Sequence, residues 1–180
     1  LRNVQAVLLA DGKKIGSEFG EMLFTHFGVS GPIILSLSNA AVKALNAGQE
    51  VELRIDLKPA LSAEKLDARL QRDFKEYSRK QLANGLKDLL PQRLIPVVCD
   101  MAYLDEEKFV NQISREERLR LLQALKSFCL PITAARPIGE AIVTAGGVDV
   151  KEINPKTMES KLVGGLYFAG EVMDVDGYTG

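Results

Sequence analysis

The residues best placed to do chemistry lie at the end of the chain. Gly165-Leu166-Tyr167-Phe168-Ala169-Gly170-Glu171 sets four apolar or aromatic residues between glycines, then a carboxylate. That pattern predicts a short buried strand opening into a tight turn, with Asp174, Asp176 and Gly177 continuing it. A strand end of this kind can present carboxylate acceptors to a ligand lying against bare backbone. Upstream, Ala141-Ile142-Val143-Thr144-Ala145-Gly146-Gly147-Val148 repeats the design, a β-branched run broken by a glycine pair. His26 is the single histidine, an acid–base candidate near neutral pH. Its neighbours Phe24 and Phe27 also suit a structural, hydrogen-bonded histidine, and both readings stand. The rest of the chain assembles no Ser-His-Asp set, metal cluster or phosphate loop.

Three motifs in order carry a family resemblance: Gly20-Glu21-Met22-Leu23-Phe24-Thr25-His26-Phe27-Gly28-Val29-Ser30-Gly31-Pro32, Thr144-Ala145-Gly146-Gly147-Val148 with Thr157-Met158-Glu159-Ser160-Lys161, and Gly165 through Gly180. Together they resemble the BaiN-like or aminoacetone-oxidase-type bacterial FAD-dependent oxidoreductases. The resemblance implies a Rossmann-type flavin domain interrupted by an insert that joins a β-barrel-like part to a small helical part. The dinucleotide-gripping Gly-x-Gly-x-x-Gly loop of such a protein is absent here: Gly12 and Gly16 are too far apart, and Gly28-Val29-Ser30-Gly31 lacks the third glycine. Since the sequence starts at Leu1 and stops at Gly180 inside a motif, it reads as an excised piece, the insert plus the returning end of the flavin domain.

By the same resemblance Glu171, after Gly170, takes the place of a carboxylate that accepts hydrogen bonds from the flavin ribityl chain. Asp174, Gly177, Tyr178 and Thr179 would continue the flavin-side loop, and Thr144, Gly146 and Gly147 would lend backbone beside the isoalloxazine ring. A glycine-rich strand bulge is an equal reading of the latter segment. FAD is the implied cofactor of the parent, with NAD(P)H a candidate electron donor and a small molecule the substrate. The piece alone is expected to bind no FAD and to be inactive.

The elements that must hold these groups give an expected fold class of mixed α+β. Val4, Ala6 and Leu8 alternate with polar positions, Asp11-Gly12 marks a hairpin, and a second strand follows from Lys14 to Gly20. Glu21 to Thr25 predicts a third short strand that leads into a turn over Gly28–Pro32. A helix should run from Pro32 to about Ala47, capped at Ser30 or Gly31, with Ile33, Ile34, Leu37, Ala41, Ala44 and Leu45 inward and Gly48 ending it. Val51, Leu53, Ile55 and Leu57 alternate with charged residues, the cleanest half-buried strand.

Residues 60–126 read as helical. Leu61 and Leu66 staple an N-cap at Ser62 for a helix to about Tyr77, and shorter segments follow around Leu82–Leu90 and Leu94–Met101. Ser114 and Glu117 form a capping box for a helix to Lys126, with Leu119, Leu122 and Leu125 inward and Arg115, Arg118, Arg120 and Lys126 on a solvated face. Strand character returns at Phe128–Ile132, where Pro131 signals an edge, and then at Ile142–Thr144, Gly147–Val150, Glu152-Ile153 and Leu166–Ala169. The expected division is a β-rich part over 1–59, helices over 60–126, a return to the β-rich part over 127–140 and a partial FAD-binding segment over 141–180.

Composition closes off several classes. Twenty-three basic against 24 acidic residues give a net charge of −1, so no global pull toward nucleic acid or anionic membrane arises. No apolar run reaches the roughly 18 residues needed to span a bilayer. Isolated Cys99 and Cys129 fit buried, reduced thiols and a cytoplasmic setting. One competing function, a protein- or nucleic-acid-interaction module, would rest on Arg69, Arg72, Lys75, Arg79, Lys80, Arg115, Arg118 and Arg120. Asp67, Asp73, Glu76, Glu116 and Glu117 interrupt them, which argues against a single-sign face and against nucleic acid as partner.

Overall fold

The computed structural model describes residues 1–141 and 144–175. The chain divides into two compact units, Leu1–Ala134 and Ala135–Gly180. Within the first, β1 (Val4–Ala10) and β2 (Lys13–Gly20) form the expected hairpin. Both turn residues are left-handed, Asp11 at φ 47° and Gly12 at φ 74°, which matches the twist of the flanking strands. The Asp11 carboxylate also accepts from the Glu50 amide at 3.0 Å and from Gln49 Nε2 at 2.9 Å, pinning the turn beside the next strand.

That strand, β5 (Val51–Asp56), pairs antiparallel with β1 on one side and with β6 (Phe128–Ile132) on the other. Strand order is β2-β1-β5-β6. The mixed α+β class holds, and among the described residues the four-stranded sheet is not closed into a ring, with β2 and β6 as its edges. Closure needs a continuous ladder around the ring, and β6 carries Pro131, which has no amide to donate. One correction concerns Gly28–Ser30, expected as part of a turn, which is a strand, β4, paired with β3 (Leu23–Thr25) in its own two-stranded sheet.

Helix α1 (Pro32–Asn46) starts with Pro32 in its first turn and buries Ile33, Leu37 and Ala44, with Ile34, Ala41 and Leu45 half-buried. Its cap is Gly31 at φ 98°, with no side-chain hydrogen bond; a Cβ there would stand 3.0 Å from Met22 Cα. A φ of 98° beside that tight approach strains any side chain there, and glycine avoids both costs.

The helical residues follow the sequence pattern with one shift of face. In α2 (Ala63–Glu76), Ser62 Oγ accepts from the Lys65 amide and Leu66 and Leu70 are buried. Leu82 of α3 (Leu82–Gly85), Leu86, Leu89 and Leu90 of the following turn, and Ile95 and Val98 of α4 (Ile95–Met101) also lie inside. The capping box of α5 (Arg115–Lys126) forms as expected. Its buried stripe, however, is Leu121, Ala124 and Leu125; Leu119 is exposed and Leu122 half-buried. The polar face is not simply solvated either. Arg118 Nε donates to Asp67 at 2.8 Å, Arg120 Nε to the Ala102 carbonyl at 2.9 Å, and Lys126 pairs with Asp56 while donating to the Leu61 carbonyl at 2.8 Å. These contacts fasten α5 to α2, to the end of α4 and to the end of β5. One hydrophobic core runs from Val4, Leu53 and Phe128 of the sheet to Leu70, Val98 and Leu125 of the helices.

The second unit is built differently. It has 3-10 turns at Ile138–Glu140, Val150–Glu152 and Gly170–Val172, and isolated bridges pairing Val148 with Met173, Ile153 with Ser160 and Glu159 with Tyr167. Strands expected at Gly147–Val150 and Leu166–Ala169 are present only as those single bridges. Ile142 and Val143 lie outside the described residues. The expected burial of the second segment fails as well, Leu166 being 43% and Tyr167 61% exposed. A strand is held by ladders to its neighbours, and here one bridge does the holding.

Candidate functional site

The geometry of the second unit centres on Gly147. At φ 148° it lies so near the segment after Glu171 that a Cβ would be 2.6 Å from the Val172 carbonyl oxygen and 2.9 Å from the Asp174 nitrogen. Such contact requires glycine. Immediately beyond, the Val148 amide donates to the Val172 carbonyl at 2.9 Å, and the Asp174 amide donates to the Val148 carbonyl at 3.0 Å. Two motifs separated by more than twenty residues therefore lie side by side in a parallel bridge.

The intervening motif locks the same unit. Gly165 N donates to the Glu159 carboxylate at 2.8 Å, Ser160 N to the Leu166 carbonyl at 2.7 Å, and Phe168 N to the Met158 carbonyl at 3.0 Å. Met158 reaches this position with φ 63°, an unusual conformation for a flexible apolar residue. Thr157–Lys161 is thus laid against the segment that leads to Gly170.

Of the expected site residues, Thr144, Gly146, Glu171 and Asp174 are exposed, and Gly170 at φ 77° opens the 3-10 turn that carries Glu171. Gly177, Tyr178 and Thr179 lie outside the described residues. Both Gly146 and Gly170 face open space where a Cβ would meet nothing within 4 Å. An exposed carboxylate next to open glycine backbone fits the hydroxylated chain of a flavin, and these residues could hold that part of it. No glycine-rich phosphate loop accompanies them in this sequence. A separate cavity of about 190 Å³, lined by Val150, Ile153, Pro155, Met158, Met173 and Val175, is apolar and includes none of the expected cofactor residues.

His26 belongs to the first unit, in the two-residue turn between β3 and β4. It is exposed, and its ring stands edge to face against Phe27, with centroids 5.0 Å apart and planes at 78°. Phe24, its other aromatic neighbour in sequence, packs instead on Phe128 at 5.8 Å. Sequence reasoning missed that Leu23, Phe24 and Phe27 would remain 57%, 41% and 47% exposed. The available signal was His26-Phe27 as a tight turn between two short β-runs.

Other polar groups serve structure. Burial pushes the Cys99 thiol up to about 12, while Cys129 is half-buried, not buried as expected, with Sγ 3.4 Å from the Ser127 carbonyl. Arg118 holds Asp67 below the usual carboxylate range, and Lys108 does the same for Glu117. Arg69 pairs with Asp73 at 3.3 Å. No metal-binding group of His, Cys, Asp and Glu occurs among the described residues, and none of their helices is long and apolar enough to cross a membrane.

Comparison with known proteins gives a match over residues 1–143 to a family described as the HI0933-like protein barrel and H2TH domain. A ribosomal RNA dihydrouridine synthase of Haemophilus influenzae is 34% identical over 164 residues, covering 91% of this chain and 38% of the relative. One of the same name from Escherichia coli is 32% identical over 178 residues, 98% of this chain and 41% of the relative. A 3-dehydro-bile acid delta(4,6)-reductase of Clostridium scindens is 28% identical over 166 residues, 92% of this chain and 41% of the relative. The chain thus spans about two fifths of the length of these relatives.

Proposed function

The chain belongs to the HI0933-like family, and on that premise we propose that it supplies the insert and the returning cofactor-side segment of a flavin-dependent oxidoreductase. The observation that carries the reading is the parallel bridge setting Gly147-Val148 against Val172–Asp174, beside exposed Glu171. It joins two of the three motifs through which the sequence resembles such enzymes. In this reading Glu171, Gly170 and Gly146 hold the ribityl side of FAD, with Thr144, Gly147 and Asp174 around them. Gly177, Tyr178 and Thr179 extend the same loop.

The relatives' names share one chemistry, saturation of a carbon–carbon double bond conjugated to a carbonyl, in a uracil ring or a steroid ketone. Bound FAD would supply the hydride for such a reduction. This chain's insert would cover the cofactor and shape substrate access, and a cytoplasmic setting with NAD(P)H as electron source belongs to the same proposal. A helical interaction module receives less support, since Asp67, Asp73 and Glu117 pair with Arg118, Arg69 and Lys108. A reading in which the substrate is uridine in RNA is favoured by the two relatives named for that modification, which share more identity with this chain than the bile-acid reductase does.

The experiment is a flavin absorbance spectrum and FAD titration of this chain beside its full-length parent. Tight binding by the parent alone supports the proposal, with the chain inactive by itself. Binding by neither sinks it.

A further inference from the structure

The β3–β4 hairpin is stiff at its base and apolar at its tip. Its base is clamped by reciprocal bonds between Leu1 and Met22, by the fully buried Met22 side chain, by the Ile33 amide donating to the Glu21 carbonyl at 3.3 Å, and by Gly31 against Met22 Cα. Phe24 ties one strand to Phe128. At the turn Thr25 Oγ1 donates to the Gly28 carbonyl at 3.2 Å and accepts from the Phe27 amide at 3.4 Å. This ordered support ends in a 47% exposed Phe27 and an exposed His26 whose ring planes stand at 78°. An ordered, exposed aromatic corner signals a contact surface.

We propose that this tip is the site that receives the uracil ring of an RNA substrate, Phe27 stacking on its face and His26 hydrogen-bonding at its rim. The inference rests on the RNA-uridine reading above. A base stacked on Phe27 is placed next to the imidazole, whose centroid lies 5.0 Å from that of the phenyl ring, and uracil carries two carbonyl acceptors and one N–H donor at its rim. Sequence-specific RNA recognition takes unstacked bases onto aromatic and histidine side chains, and such a base needs a partner for the face it exposes. Neutral imidazole offers one donor and one acceptor, so either rim group of uracil finds its complement.

The test uses a feature of the sequence. His26 is the only histidine, so its imidazole C–H signals in a proton NMR spectrum of the full chain have a single source. Uridine 5′-monophosphate and a short oligouridylate are titrated to millimolar concentration, with ribose 5-phosphate and a soluble 3-keto-Δ4 steroid as separate arms. The expected result is movement of the His26 and Phe27 ring signals with the two uracil ligands, strongest with the oligomer. Phe27→Ala should weaken oligouridylate binding about 5- to 150-fold, and Phe27→Tyr should restore it. Phe27 is largely outside the core, so an unchanged far-ultraviolet circular dichroism spectrum checks the fold of the variant. Equal shifts with ribose 5-phosphate, shifts with the steroid alone, or no shift in any arm each overturn the proposal. None of these arms contains FAD, so failure here is separable from failure of the flavin titration.

Discussion

The units Leu1–Ala134 and Ala135–Gly180 are held together by different means. In the first, alternating strands and amphipathic helices close on one core, with Leu66, Leu70, Leu82, Leu86, Leu121 and Leu125 at 0% exposure. In the second, Ile153 is the buried hydrophobic residue among those described, and the shape rests on bridges, 3-10 turns and bonds such as Gly165 to Glu159. Its Tyr167, Leu162 and Val175 are 61%, 71% and 63% exposed. Hydrophobic burial fixes the first unit; local backbone satisfaction shapes the second, leaving its surface open to other contacts.

That contrast can be broken at several strengths. Leu70→Ala should destabilise the first unit by about 2–5 kcal/mol, since it deletes fully buried methyl groups, and urea unfolding followed by circular dichroism measures it. A loss under 1 kcal/mol would mean that the core is not the main support. Arg118→Ala should cost about 1.5–3 kcal/mol, because Asp67 loses a charged hydrogen bond in a half-buried position. The same pair sets a pH dependence. Asp67 and Glu117 have folded-state values below their unfolded ones, so their contribution is present above about pH 4 and is lost as pH falls through the lower folded values. Thermal midpoints taken from pH 6 to pH 3 should drop in the wild type, and Arg118→Ala should flatten that drop.

Smaller still is the cap. Ser114→Ala removes one side of the α5 capping box and should cost about 1 kcal/mol, read from the same urea transition. Gly147→Ala should leave that transition where it is. Its new Cβ collides with the Val172 carbonyl, so the predicted change is confined to the amide signals of Val148 and Asp174. A shift in the first unit's unfolding would show that the two units are energetically coupled.

Legibility in the sequence tracked the same divide. Asp11-Gly12, the alternation over Val51–Leu57, the Ser62 cap and the Ser114–Glu117 box each encode their geometry within a few residues, and each appears as read. Leu166–Ala169 shows the opposite case. Four apolar residues suit a strand interior, yet only neighbouring strands can make one, and a single bridge at Tyr167 stands in their place. The open sheet edge had no local signature either, because ring closure depends on which strands meet. In α5 the 3.6-residue period was legible, but the choice of Leu121 over Leu119 as the inward position was made by the neighbouring β5, β6 and α2.

For the candidate site, residue types alone marked the glycine pair, Glu171 and the lone histidine. The tertiary structure decided that Gly147 lies against Val172, that Met158 turns back onto Phe168, and that His26 stands beside Phe27 at an exposed tip while Phe24 packs against Phe128. The physical reason is range. Turns, caps and periodicity are properties of consecutive residues, whereas an approach as close as that of Gly147 to Val172, between segments distant in sequence, exists only once the whole unit has folded.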